Sequence, residues 1–294
     1  MPEIVEIPVV WLQGAACTGC AVSLLNSFSP SIGSVLLDEL SPGAHVNLRF
    51  LTTVMAGQGS QVIGVLEDTA AAKGGKYVMV MEGSIQLASP IFATMGEKGG
   101  REIVISEKAA ELARSAMAVV GLGTCASFGG IPAGEPNPTG AVSIAELLTR
   151  EQIDTPVVNI PGCPPHPDWL VGTLAAVMRY GLAAIEVDEI GRPKLFYGKL
   201  VHENCPRRAD FDAGKFAKAF GQPGCLYELG CKGPVTYADC PLRMWNTGTN
   251  WCIGAGSPCH GCVEPDFPDR LSPLYRKIDE HRLAAFRIGQ DAAE

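Results

Sequence analysis

The sequence predicts an α/β protein: a parallel sheet covered by helices, followed by a C-terminal region of little regular structure that is built around metal ligands. Three observations predict it. Short, continuously apolar runs recur between the N-terminus and Cys163. Most are separated by stretches of helical character, such as Glu107–Ala116, which is rich in Ala, Glu and Leu. The 11 cysteines lie just beyond the ends of these runs or crowd into the last third of the chain. Strands buried on both faces read as unbroken apolar runs, and their alternation with helices is the pattern of a parallel sheet.

Taken in order, the runs are Ile7–Leu12, Val46–Val54, Tyr77–Met81, Ala118–Leu122 and Val157–Ile160, with helices expected over Gln61–Ala72 and Glu107–Ala116. Cys17 and Cys20 follow the first run, Cys125 the fourth and Cys163 the fifth. Sites in open α/β sheets form beyond the carboxyl ends of the strands, where the loops meet. Loops far apart in sequence can therefore bring four thiolates to one centre. Gly14, Gly19, Gly121, Gly123 and Gly162 permit the tight turns and close backbone approach that such loops need. Pro161-Gly162-Cys163-Pro164-Pro165-His166-Pro167 is too proline-rich for a helix or an interior strand and reads as a rigid loop. The glycine-rich segment Gly121–Gly130 lacks the Lys-Ser/Thr ending of a phosphate loop and the full dinucleotide fingerprint.

The texture changes near residue 190, which divides the chain into an α/β domain over 1–190 and a second domain over 191–294. In the second, turn formers dominate, and His202, Cys205, Cys225, Cys231, Cys240, Cys252, Cys259 and Cys262 follow in close succession. Such a segment holds little continuous core, so metal binding is expected to supply much of its folding free energy. A helix is expected over Phe211–Phe220. The tail Pro273–Glu294 reads as one amphipathic helix, with Leu274, Ile278 and Leu283 on a common side, or as a solvated terminus.

Cysteine spacing carries the chemistry. Cys17-Thr18-Gly19-Cys20 and Cys259-His260-Gly261-Cys262 are pairs with a two-residue gap, and His202-Glu203-Asn204-Cys205 repeats the gap with an imidazole. That gap lets two side chains reach one metal centre from a single turn. The 11 thiols with His202 make twelve donors, the number that three cubane clusters of four ligands would need. An odd count leaves one thiol over in any complete disulfide pairing, and 294 residues can bury a core without such staples. Structural zinc also takes Cys and His at this gap, but zinc modules usually close with two adjacent pairs, whereas Cys125 and Cys163 stand alone. Iron–sulfur ligation is the preferred reading; zinc and buried or redox-active thiols are its alternatives.

Composition narrows the partners. With 47% hydrophobic and 18% charged residues the chain reads as globular, and a net charge of −8 disfavours nucleic acid and anionic membrane. No run of 18 apolar residues is present, so no transmembrane segment is expected. The N-terminus shows no basic region, apolar stretch or twin arginine. As written, the chain implies the cytoplasm; removal of a twin-arginine leader would imply the periplasm.

These motifs resemble one known family. Trp11-Leu12-Gln13-Gly14 through Cys20, Val120-Gly121-Leu122-Gly123-Thr124-Cys125, Asn159 through Pro167, His202-Glu203-Asn204-Cys205, Leu229-Gly230-Cys231-Lys232-Gly233-Pro234 and Pro258-Cys259-His260-Gly261-Cys262 through Phe267 are similar to segments of nickel-iron hydrogenase small subunits, closest to the nickel-iron-selenium branch. The resemblance spans most of residues 10–275. It implies a flavodoxin-like first domain, a cluster-rich second domain, and an obligate large subunit holding the nickel-iron site where dihydrogen is split.

Position by position, the resemblance implies a proximal 4Fe-4S cluster on Cys17, Cys20, Cys125 and Cys163. It implies a distal 4Fe-4S cluster on His202, Cys205, Cys225 and Cys231. A medial cluster would sit on Cys240, Cys252, Cys259 and Cys262. Commoner members have proline where this chain has Cys252, and their medial cluster is 3Fe-4S; a fourth thiolate implies 4Fe-4S here. Thr18 and Glu82, which follows the third apolar run, are expected to face the large-subunit interface, with proton transfer as a role for either. An external carrier such as a cytochrome or ferredoxin would take up the electrons.

No nucleophile is paired with a base, so no catalytic residue is assigned to this chain. His202 is the only histidine expected to be a ligand, and an imidazole in place of a thiolate should raise the potential of its cluster. His166 is expected to make a structural hydrogen bond, and His45 and His281 to be solvated. Two rivals remain. One is the cluster-bearing component of a quinone reductase, which needs only four ligands; the other is a zinc-stabilised interaction protein.

Overall fold

The structure, a computed structural model, describes residues 5–73 and 77–278. The chain forms two compact units, residues 1–193 and 194–294.

The main sheet of the first unit has six strands: β1 (Val5–Gln13), β2 (Glu39–Ser41), β3 (Ala44–Leu51), β4 (Val78–Glu82), β5 (Ala118–Leu122) and β6 (Val157–Ile160). Their order across the sheet is β6-β5-β4-β1-β3-β2. All neighbours pair parallel except β2, which runs antiparallel to β3 at one edge. Counting only the parallel strands in chain order gives 2-1-3-4-5, the flavodoxin-like winding. Each of the five apolar runs of the sequence is one of these strands. β4 and β5 are buried at every residue, as a sheet covered on both faces requires.

The helices of this unit are α1 (Gly19–Leu25), α2 (Ile32–Leu37), α3 (Gly59–Lys73), α4 (Ile105–Ser115), α5 (Gly123–Phe128), α6 (Ile144–Arg150) and α7 (Pro167–Tyr180). α4 shows why such segments fold as they do: Ile105, Ala109, Ala110, Leu112 and Ala113 are buried at helical spacing. They pack with Val10, Leu12, Met79, Met81 and Leu147 in the core. The proline-rich loop after β6 ends earlier than the composition suggests. Pro167 opens the 14-residue α7, a position where its missing N–H costs nothing, and His166 caps it by accepting the Asp168 N–H at Nδ1, 3.1 Å away.

Among its described residues the second unit has only short helical pieces, such as Lys194–Tyr197, Arg208–Asp212 and Cys240–Arg243. The helix expected over Phe211–Phe220 is not formed. Helical structure stops at Asp212, Gly214 turns the chain at φ +67°, and Phe216 bridges to Cys225. The local apolar pattern there serves a long-range pairing. Nor is the tail helical over Pro273–Ile278; Ile278 instead packs with Val235, Phe267 and Leu271, and the remainder, including His281 and Leu283, lies outside the described residues. His45 is half-buried rather than fully solvated, its Nδ1 lying 2.9 Å from the Asp38 carbonyl.

Candidate metal centres

The loops beyond the carboxyl ends of β1, β5 and β6 carry Cys17, Cys20, Cys125 and Cys163. They are fastened to one another. Thr124 and Gly162 exchange two bonds, Thr124 N–H to the Gly162 carbonyl at 3.0 Å and Gly162 N–H to Thr124 Oγ1 at 2.9 Å. The Ser23 hydroxyl donates to the Pro165 carbonyl at 2.7 Å, tying α1 to the Cys163 loop. Gly123, at φ +84°, stands so close to Cys20 that a Cβ there would lie 2.5 Å from its Sγ. Only glycine fits.

The four thiols feel one another. Burial first, then Glu82 and the thiols of Cys125, Cys17 and Cys163 push the Cys20 thiol far above the usual range. Cys125 is raised to about 11, by burial and then by Cys163. Cys163 is raised by burial and by Cys17. Without a cation these groups stay neutral thiols; a metal that turns them into thiolates must displace their protons. Cys17 and Cys163 are exposed, so this centre opens to the surface of the chain. Glu82 does not face that surface. It is 0% exposed, which removes it from the interface expected for it. Thr18 is half-buried and adopts φ +65° just before α1.

In the second unit His202, Cys205, Cys225 and Cys231 all line one cavity. Arg207 joins two of the contributing loops by donating to the Gly224 carbonyl at 2.7 Å. The His202 ring meets Phe211 edge-on at 4.5 Å between centroids, and Phe211 in turn meets Tyr227 at 5.4 Å. Burial raises the Cys205 and Cys225 thiols, and it pushes Cys231 up to about 11.

Cys240, Cys252, Cys259 and Cys262 form the third set. The Cys240 thiol is pushed well up by burial, then by Cys262 and Cys252. Cys259 is raised by burial, then by Cys231, Cys262 and Cys240. Cys252 is exposed by area, yet enough protein surrounds its thiol for burial to raise it. His260, between Cys259 and Cys262, turns to Tyr275, 5.0 Å away between ring centroids.

The fold thus brings Cys17, Cys20, Cys125 and Cys163 near one another, lines one cavity with His202, Cys205, Cys225 and Cys231, and sets Cys240 close to Cys252 and Cys262, with Cys259 near Cys231, Cys262 and Cys240. Among the described residues no group of three or more His, Cys, Asp or Glu could hold a single metal ion. A zinc ion needs four donors about 2.0–2.3 Å from one point. A cluster is wider and takes its ligands at its corners, one to each iron. The donor chemistry fits, since four thiolates or a mixed Cys/His set are iron–sulfur ligand sets.

Sequence did not reveal how the thiol-bearing loops are held. Ser23 and Thr124 lie close to cysteines but bond to the distant Cys163 loop, and Glu82 lies 62 residues from Cys20; the available signal was a carboxylate closing a wholly apolar run.

Comparison with known proteins points one way. Residues 197–275 match the family of C-terminal regions of NiFe/NiFeSe hydrogenase small subunits, and residues 17–177 match NADH ubiquinone oxidoreductase, 20 Kd subunit. The chain is 45% identical to the periplasmic [NiFeSe] hydrogenase small subunit of Desulfomicrobium baculatum, covering 92% of this chain and 87% of that one. It is 41% identical to the periplasmic [NiFe] hydrogenase small subunit 1 of Nitratidesulfovibrio vulgaris, over 91% of this chain and 81% of that one. The solved Ni-Fe-Se hydrogenase from Desulfomicrobium baculatum superposes with a TM-score of 0.88 at 44% identity, covering 92% of this chain and 99% of that chain. No helix among the described residues is long and apolar enough to cross a membrane.

Proposed function

We propose that this chain, which belongs to the nickel-iron and nickel-iron-selenium hydrogenase small subunits, relays electrons between a large subunit that activates dihydrogen and an external redox carrier. Three iron–sulfur clusters do this, each taking up and releasing an electron when bound. Cys17, Cys20, Cys125 and Cys163 hold the proximal one; Cys240, Cys252, Cys259 and Cys262 hold the medial one; His202, Cys205, Cys225 and Cys231 hold the distal one.

The observation that supports the reading most is the gathering of four thiols from three separate strand ends, with Cys20, Cys125 and Cys163 raised by burial and by their neighbours. No pairwise zinc module or disulfide scheme calls for that arrangement. A single-cluster connector related to the 20 Kd subunit would account for the first unit but leave the eight donors of the second without a task.

The protein's own residues set the conditions. Cys225 and Cys231 are buried while Cys17, Cys163 and Cys252 are exposed, the loop amides and glycines bring backbone close to the thiolates, and the single imidazole makes the distal centre less negative than its neighbours. The test is anaerobic co-purification with the native partner. Nickel in that partner, and reduction of the visible iron–sulfur absorbance by dihydrogen alone, support the reading. A partner without nickel, or absorbance indifferent to dihydrogen, contradicts it.

A further inference from the structure

We propose that Glu82 is the residue that positions the Cys17–Cys20 loop, and that its carboxylate sets the local charge at the proximal centre. The proposal rests on the ligand assignment above and adds a second kind of control to it.

Glu82 ends β4 and is fully buried. Its Oε2 accepts from Trp11 Nε1 and Gln13 Nε2, each at 3.0 Å. Its Oε1 accepts from the Cys20 N–H at 3.1 Å and the Ala21 N–H at 3.2 Å. All four partners are N–H donors, so both oxygens act only as acceptors. Two of those donors belong to the first turn of α1, where backbone N–H groups have no partner within the helix. The residue that should cap them, Thr18, makes no side-chain capping bond, and no acid lies in that first turn. A carboxylate from another strand therefore does the work of an N-cap.

The other oxygen holds β1 at the point where the chain leaves the sheet. Gln13 is fixed in turn, its Oε1 accepting from the hydroxyls of Thr52 and Thr53. Backbone bonds complete the clamp: Gly14 N–H donates to the Glu82 carbonyl and Ala15 N–H to the Ser84 carbonyl, both at 2.8 Å. One side chain thus joins the strand before the loop to the helix after it, with Cys17 in the loop between and Cys20 in the first turn of that helix.

Packing alone does not call for an acid here. Burying a carboxylate is costly unless hydrogen bonds satisfy it; four N–H donors do so here, and an apolar residue would leave those donors without this acceptor. Glu82 Oε1 lies 3.1 Å from the amide of Cys20, itself proposed as a ligand. A fixed negative charge beside a redox centre favours its oxidised form and lowers its potential.

The experiment uses the complete enzyme, both subunits together, with Glu82→Gln and Glu82→Ala. Gln keeps an acceptor oxygen for the Cys20 and Ala21 amides and removes the charge. It should retain the full iron count, while the proximal signal in a potentiometric paramagnetic-resonance titration moves to higher potential and the other two stay in place. Ala removes both and should lose the proximal cluster, about four irons. Unchanged potentials in Glu82→Gln, or full iron with an unaltered proximal signal in Glu82→Ala, would overturn the proposal. A wild-type enzyme with no proximal signal would overturn the ligand assignment first, and this proposal with it.

Discussion

The amide of Lys232 donates to the carbonyl of Cys259 at 2.7 Å. That bond ties the turn after Cys231, in the set proposed as distal, to a ligand of the set proposed as medial. The two sets are neighbours, since Cys231 is the first of the thiols that raise Cys259. Lys232 is itself buried, and its ammonium donates to the Arg276 carbonyl at 2.6 Å. Lys232→Met should therefore act on both centres. Losing this buried charge-assisted bond is expected to cost about 1–3 kcal/mol of stability. The medial and distal potentials should fall together while the proximal one holds. Thermal unfolding with a redox titration checks this, and a shift confined to the proximal signal would contradict it.

Cys252 tests the medial assignment. Its thiolate should retain a fourth iron, so Cys252→Pro should give a three-iron centre, paramagnetic when oxidised and at higher potential. Spectra of the oxidised wild type and variant decide. A strong three-iron signal already present in anaerobic wild type would show that Cys252 is not a ligand.

Replacing Cys17 or Cys163 should abolish electron flow and assembly, because both belong to the centre proposed to lie nearest the large subunit. His202→Ala should instead slow transfer to external acceptors while dihydrogen still reduces the remaining centres. Equal, modest losses in both variants would refute the proximal-to-distal order.

Gly123→Ala should behave like a ligand loss although no donor is removed. The added Cβ would meet Cys20 Sγ at 2.5 Å in a backbone conformation that favours glycine. The strain and overlap together are expected to cost about 2–3 kcal/mol. Iron content of the purified enzyme is the readout; full proximal iron would show that the loop can yield.

The exposed face of α1 carries Val22 and Leu25, with Phe28 just beyond the helix and 70% exposed. Large apolar side chains left together on a surface mark a partner site. Produced without its large subunit, the chain should aggregate and bind a hydrophobic dye, and co-production should suppress both. A well-behaved monomer without dye binding would count against that surface.

The parallel strands were legible because burial on both faces leaves unbroken apolar runs, as in Tyr77–Met81 and Ala118–Leu122. The edge strand Glu39–Ser41 was not, being short and polar. Pro167 hid a helix start, since proline is as much at home in the first helical turn as in a loop. Around Phe211 the local pattern suggested a helix, but Gly214 and the Phe216–Cys225 bridge decided otherwise. At the candidate site, spacing marked the donors and strand ends suggested which would meet. What holds them there was hidden, because Glu82 works through backbone groups 61 and 62 residues away in sequence.

The most direct test of the central claim is the iron and acid-labile sulfide content of enzyme purified without oxygen. Three clusters on this chain predict about twelve of each per copy, beyond the iron of the partner's nickel site. About four of each, or zinc near stoichiometric in their place, would contradict the account.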